Sequence, residues 1–213
     1  MSTADLGPDI SSLSRKLTLP ARKISRADAE EAVKTLIIWL GDDPSREGLH
    51  ETPARVTKAF SEWFSGYQQN PEKILQKTFA ETGHYKEPVI LRGIRFESFC
   101  EHHMAPITGV AHISYLPDEK IVGLSKLARI VDVYAKRLQV QERMTAQIAD
   151  AVQRYLNPQG VAVMIFAEHH CMSTRGVRKH DVDTITSQYT GVFRADTALK
   201  AQFIQMVVGH PPE

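Results

Sequence analysis

The chain carries two cysteines, and each lies inside a histidine-rich stretch: Cys100 opens "CEHH" and Cys171 closes "EHHC". The pattern allows a disulfide or a shared metal. The start "MSTADLGPDISSLSRKLTLP" has no apolar core of a secretory signal, so the expected compartment is the cytoplasm, where thiols stay reduced. A metal that accepts sulfur and nitrogen is the better account of thiols set beside paired imidazoles. A fold serving it must bring two distant segments to one point.

Cys-x-x-His spacing lets Cys100 and His103 face one ion from a turn. The second stretch reads as a strand, in which residues two apart share a face. His169 and Cys171 are then expected together, with His170 turned away. Candidate ligands are therefore Cys100, His103, Cys171 and, as a fourth, His169. Four protein ligands close a structural tetrahedral site, whereas three leave a position for water and catalysis. Spacing alone leaves both open. The surplus histidines favour catalysis, because a metal-bound water titrates near ~7 and an imidazole of ordinary pKa ~6.5 is its natural proton carrier.

Periodicity divides the chain. Residues 1–24 lack it and are expected as a flexible tail. An N-terminal helical region follows over 25–87. It starts at Ser25, with Asp28 completing a variant capping box, and Gly41 ends the first helix. Thr52-Pro53 opens a second helix that Gly66 stops, and "NPEKIL" adds a short turn. Over 88–213 the predicted order is ββααββα. The strands are "VILRGIRFESF", "ITGVAHISYL", "GVAVMIFAEHHC" and "TITSQYTGVF". The helices are "LSKLARIVDVYAKRL", "ERMTAQIADAVQRYL" and "TALKAQFIQMVV". Strands adjacent in sequence predict an α+β fold, an antiparallel sheet backed by helices.

The net charge of +1 gives no bulk attraction to nucleic acid or anionic membrane, and no apolar run reaches the ~18 residues of a membrane span. Charge is local instead. Ser125, Lys126 and Arg129 share one arc at the start of a helix, a phosphate site or a solvated face. Glu142 starts the next helix and is most cheaply a dipole-satisfying residue; the functional alternative is a carboxylate reading paired N–H donors such as guanine's. Arg175 is a phosphate clamp or a surface charge. Arg55 and Lys58 read as a solvated face, and mid-strand His112 as a packed histidine.

Five stretches in order, "DDPSREGLHETPARV", "CEHH", "GLSKLARIV", "QVQER" and "HHCMSTRGV", resemble the GTP cyclohydrolase I family over about residues 42 to 194. The resemblance implies the tunnelling fold, whose ββααββ units form a barrel on oligomerisation. It implies a cytoplasmic homodecamer with active sites between subunits. The implied reaction turns GTP and water into 7,8-dihydroneopterin triphosphate and formate, the first step of pterin and folate biosynthesis. By the same resemblance Cys100, His103 and Cys171 hold zinc, and His102 and His169 move protons. Glu142, with Gln141, reads guanine. Ser125, Lys126, Arg129 and Arg175 hold triphosphate and ribose, with Ser125 also assisting the ribose rearrangement. Arg55 and Lys58 reach a neighbour's phosphates. The alternatives are another tunnelling-fold pterin or deazapurine enzyme, or a zinc-stabilised binding protein without turnover.

Overall fold

The computed structural model describes residues 24–76, 78–79 and 85–209. Apart from Ile24, the expected flexible tail lies outside the described residues. The chain divides into two compact units, Met1–Lys58 and Ala59–Glu213. No helix among the described residues is long and apolar enough to cross a membrane.

In the first unit, Ser25 caps α1 (Arg26–Trp39) reciprocally with Asp28. The Asp28 N–H donates to Ser25 Oγ at 3.1 Å, and the Ser25 N–H donates to Asp28 Oδ2 at 2.9 Å. Aspartate replaces the usual glutamate or glutamine of this box. Gly41 follows at φ +90°, where glycine costs least. Helix α2 (Thr52–Trp63) begins at Thr52 itself, with Pro53 in its first turn, where a missing N–H is harmless.

The second unit is a five-stranded sheet with helices on both faces. Its strands are β2 (Val89–Cys100), β3 (Pro106–Leu116), β5 (Leu138–Gln139), β6 (Gly160–His169) and β7 (Asp183–Tyr189), in spatial order β5-β2-β3-β6-β7. All pairings are antiparallel except the short β2–β5 contact. A two-residue β1 (Thr78–Phe79) pairs separately with β4 (Ile121–Val122). One face carries α3 (Pro71–Leu75), α4 (Leu124–Ala135) and α5 (Gln141–Leu156); the other carries α7 (Val192–Ala195) and α8 (Thr197–Val208). Strand β6 shows why. Val161, Val163 and Ile165 enter the α4–α5 core, while Ala162 and Met164 pack with Phe193 and Phe203. Alternation of period two with both faces apolar makes a strand buried on both sides.

Several boundaries depart from the periodicity. Gly66 is no helix stop: it lies in a 3₁₀ turn (Ser65–Gln68) where a Cβ would meet Val133 O at 2.3 Å. Leu138, the last residue of the predicted helix "LSKLARIVDVYAKRL", lies in β5 because α4 ends at Ala135. The last predicted strand stops at Tyr189, and Gly191 at φ +49° turns the chain into α7. Strand β6 ends at His169, and His170–Ser173 forms a helical turn, α6. The strand parity expected of His169 and Cys171 therefore does not apply.

In β2 the register shifts between Leu91 and Ile94, around Gly93 at φ +70°. Before this bulge the odd-numbered Val89 and Leu91 join the α4–α5 core. After it the even-numbered Ile94, Phe96 and Cys100 do. A single inserted residue thus sets the face on which Cys100 lies.

Candidate metal centre and catalytic residues

Cys100 is the last residue of β2 and only 4% exposed. Its backbone is fixed from two sides. The Cys100 N–H donates to Ala105 O at 2.8 Å, and the Met104 N–H donates back to Cys100 O at 2.8 Å, closing the turn with Met104 at φ +53°. On the other side the Glu101 N–H donates to Gln139 O of β5 at 3.0 Å. The Glu101 side chain pairs with Arg143 of α5. The carboxylate of the first cluster is therefore spent on holding the turn. Arg143 closes the stretch "QVQER", but nothing in the sequence names its partner; its Nε also donates to Gln139 Oε1 at 3.4 Å.

The turn brings His103 Nδ1 to 3.8 Å from Cys100 Sγ. At the end of β6, α6 swings Cys171 onto the same point, so that one ligand atom from each of Cys100, His103 and Cys171 lies within 4.8 Å of the others. Both cysteines are free thiols. Burial pushes the Cys171 thiol above its ordinary pKa, the adjacent Cys100 sulfur pushes it further, and Arg175 opposes both. Two thiolates side by side repel, and a divalent cation between them removes that cost. Two sulfurs and an imidazole nitrogen suit zinc.

The other histidines stand outside this set. His102 is exposed, its Nδ1 3.7 Å from Cys100 Sγ. His169, opposite Ile107 of β3, is half-buried, and its Nε2 lies 2.8 Å from Gln141 Oε1. Burial lowers the pKa of His169, and the nearby Glu142 carboxylate opposes that.

The structure parts the Gln141–Glu142 pair. Glu142 is exposed in the first turn of α5, the favourable end for an acid, whereas Gln141 is 1% exposed. Arg175 is exposed and donates from Nη1 to His103 Nε2 at 3.0 Å. Ser125, Lys126 and Arg129 occupy the first turns of α4, which has no acid there and no side-chain cap on Gly123. The other end of α4 leads to β5, which pairs with Phe99 and Cys100. At 1.5 Å per residue the twelve-residue helix is about 18 Å long; Ser125 and Lys126 lie at the end remote from β5 and Arg129 near its middle. Arg55 and Lys58, in the first unit, are exposed, with Arg55 paired to Glu51. His112 faces the opposite side of the sheet, 2% exposed and edge-on to Phe166, a packed residue as expected.

Fold and centre together define an α+β protein built around a sulfur–nitrogen site of three donors, with further imidazoles close by. Comparison with known proteins narrows that class. Residues 29–208 match the family model described as GTP cyclohydrolase I. The chain is 54% identical over 190 residues to GTP cyclohydrolase 1 of Brucella anthropi, covering 89% of each chain. It is 56% identical over 185 residues to GTP cyclohydrolase 1 of Hyphomonas neptunium, covering 87% of this chain and 90% of that one. A solved structure, the archaeosine synthase QueF-Like in the apo form, aligns at TM-score 0.42 and 19% identity over 50% of this chain and 96% of that one. The chain belongs to the GTP cyclohydrolase I family.

Proposed function

We propose that this chain converts GTP and water into 7,8-dihydroneopterin triphosphate and formate, with zinc held by Cys100, His103 and Cys171, in the cytoplasm. Residues 88–213 are its catalytic part. The observation that carries the reading is the three-donor cluster with His169 outside it. Three protein donors leave a position for solvent, and family membership supplies the substrate class.

Zinc bound there supplies a Lewis acid that draws the pKa of water from about 15.7 toward about 7. His169 holds a proton for guanine N7 as the imidazole ring of the base opens. His102, exposed beside Cys100, moves protons in the second hydrolysis, which frees C8 as formate. Glu142 accepts from two adjacent guanine N–H groups. Ser125, Lys126, Arg129 and Arg175 hold triphosphate and ribose, and Ser125 assists the ribose rearrangement. Ser125 and Lys126, at the end of α4 remote from the β5 strand that pairs with Cys100, favour sites shared between neighbouring copies, as a barrel-forming homodecamer provides. Arg55 and Lys58 then reach a neighbour's phosphates.

The test is formate release from GTP by the zinc-loaded protein, with and without a chelator, together with the absorbance of the pterin product. The expected result is one formate per pterin, lost on chelation. Metal-loaded protein that binds GTP and releases no formate would overturn the proposal in favour of a binding protein.

A further inference from the structure

We infer that Gln141 is a positioning residue that fixes the tautomer of His169, placing the proton on Nε2 and leaving Nδ1 to exchange protons with the substrate. The inference rests on the catalytic role proposed above for His169. The hydrogen-bond geometry beneath that ring carries it.

The Gln141 carboxamide nitrogen lies 2.8 Å from Thr184 O, 3.2 Å from Ile165 O and 3.1 Å from Thr186 Oγ1. Two of these partners are backbone carbonyls, which only accept. The amide nitrogen must therefore face them, its two hydrogens serving three acceptors. That orientation points Oε1 at His169 Nε2, 2.8 Å away. An amide oxygen only accepts, so Nε2 must carry hydrogen.

The amide has no freedom to turn over. Thr145 Oγ1 donates to Gln141 O at 2.7 Å, which commits its hydrogen. Thr186 Oγ1, 2.7 Å from Thr145 Oγ1, then donates to it and accepts from the Gln141 amide. The loop Gln141–Thr186–Thr145–Gln141 has one consistent set of hydrogen positions. Thr145 is 1% exposed, as is Gln141, so water does not compete for these bonds. A carboxamide committed in this way has no donor left for a base, and its 1% exposure separates its role from that of exposed Glu142.

The test uses zinc-loaded full-length protein and the variants Gln141→Leu, His169→Ala and their combination. Gln141→Leu is expected to lower kcat about 100-fold, the lower range of what a positioned acid or base contributes, with zinc content and KM for GTP unchanged. In the His169→Ala background the same change is expected to have no further effect on residual turnover. A raised KM with kcat intact would show the carboxamide reading substrate directly and overturn the inference; so would full additivity. Should Gln141→Leu fail to fold, Thr186→Val removes one anchor of the amide and is expected to lower kcat only when His169 is present. Nitrogen NMR of labelled histidine, assigned with His169→Ala, reads the tautomer without turnover. A neutral wild-type His169 that carries its one proton on Nδ1 and none on Nε2 refutes the inference. Wild-type protein that releases no formate refutes the proposed reaction instead, and the NMR result still decides the tautomer.

Discussion

Replacing His169 by alanine separates the chemistry from the metal. The imidazole stands outside the Cys100, His103 and Cys171 cluster, so zinc content is expected to stay at the wild-type level. Turnover is expected to fall by about 10² to 10⁴, or about 2.7 to 5.4 kcal/mol at 1.36 per decade. The fold should survive. The change removes the partner of Gln141 Oε1, 2.8 Å away. An unpaired buried acceptor costs about 1–3 kcal/mol, and the half-buried ring leaves a space open to water, which places the cost near the lower figure. Formate release, zinc by atomic absorption and GTP binding by calorimetry check the three parts on one preparation. Zinc lost together with activity would make His169 a fourth ligand and refute the open site. Undiminished formate release would refute its role in proton transfer.

Three further outcomes follow from the geometry. Cys171→Ser replaces a thiol that can ionise with a hydroxyl that does not, and leaves two donors; zinc and formate release should vanish together, as metal analysis and the formate assay would show. Gly109→Ala places a Cβ 2.2 Å from Phe166 O and 2.7 Å from Ala167 Cβ, so β3 and β6 must part; a loss of about 1–3 kcal/mol is expected in thermal or denaturant unfolding. His112, its pKa lowered by burial and then by Arg92, takes up a proton in the unfolded chain before it does in the folded one. Its contribution is full above pH ~6.5 and lost as pH falls, so the drop in Tm from pH ~7.5 to ~5.5 should be smaller in His112→Gln than in wild type.

The elements were largely legible, and the centre was legible in composition but not in geometry. Alternation in Val161–Ile165 and helical spacing of Met144, Ile148 and Val152 encode burial directly, and the structure buries all of these residues. Ser25 with Asp28 encodes a cap because its partners are local. What periodicity missed depends on tertiary partners. Gly66 looked like a helix stop, but the backbone of Val133 and Lys136 requires its missing side chain. The family resemblance, not periodicity, sets Gln141 beside Glu142 as a reader of guanine. The helix start instead directs Glu142 outward and Gln141 under β6 and β7, against Ile165, Thr184 and Thr186. Arg143 stands in the quoted "QVQER", but its pairing is not legible there because its partner, Glu101, lies in a distant turn.

Two irregularities build the centre, and one of them yields a sharp test. Strand β6 gives way to α6 after His169, so that His169 faces Gln141 while Cys171 turns back to Cys100. Continued as a strand, the same residues would put His169 and Cys171 on one face and draw the imidazole toward the metal. The other irregularity is the bulge at Gly93. Removing that residue restores a regular ladder and sends every later residue of β2 to the opposite face. Cys100 would then point toward α7 and α8, away from His103 and Cys171. Substitution differs from deletion: nothing lies within 4 Å of a Cβ built on Gly93, so Gly93→Ala keeps the bulge and costs only the left-handed conformation, about 1–2 kcal/mol. The alanine variant should bind zinc and release formate at a slightly lower Tm, whereas the deletion should lose zinc even where it stays folded. A deletion variant that retains zinc would mean that the turn around Cys100, rather than the register of β2, directs the thiol.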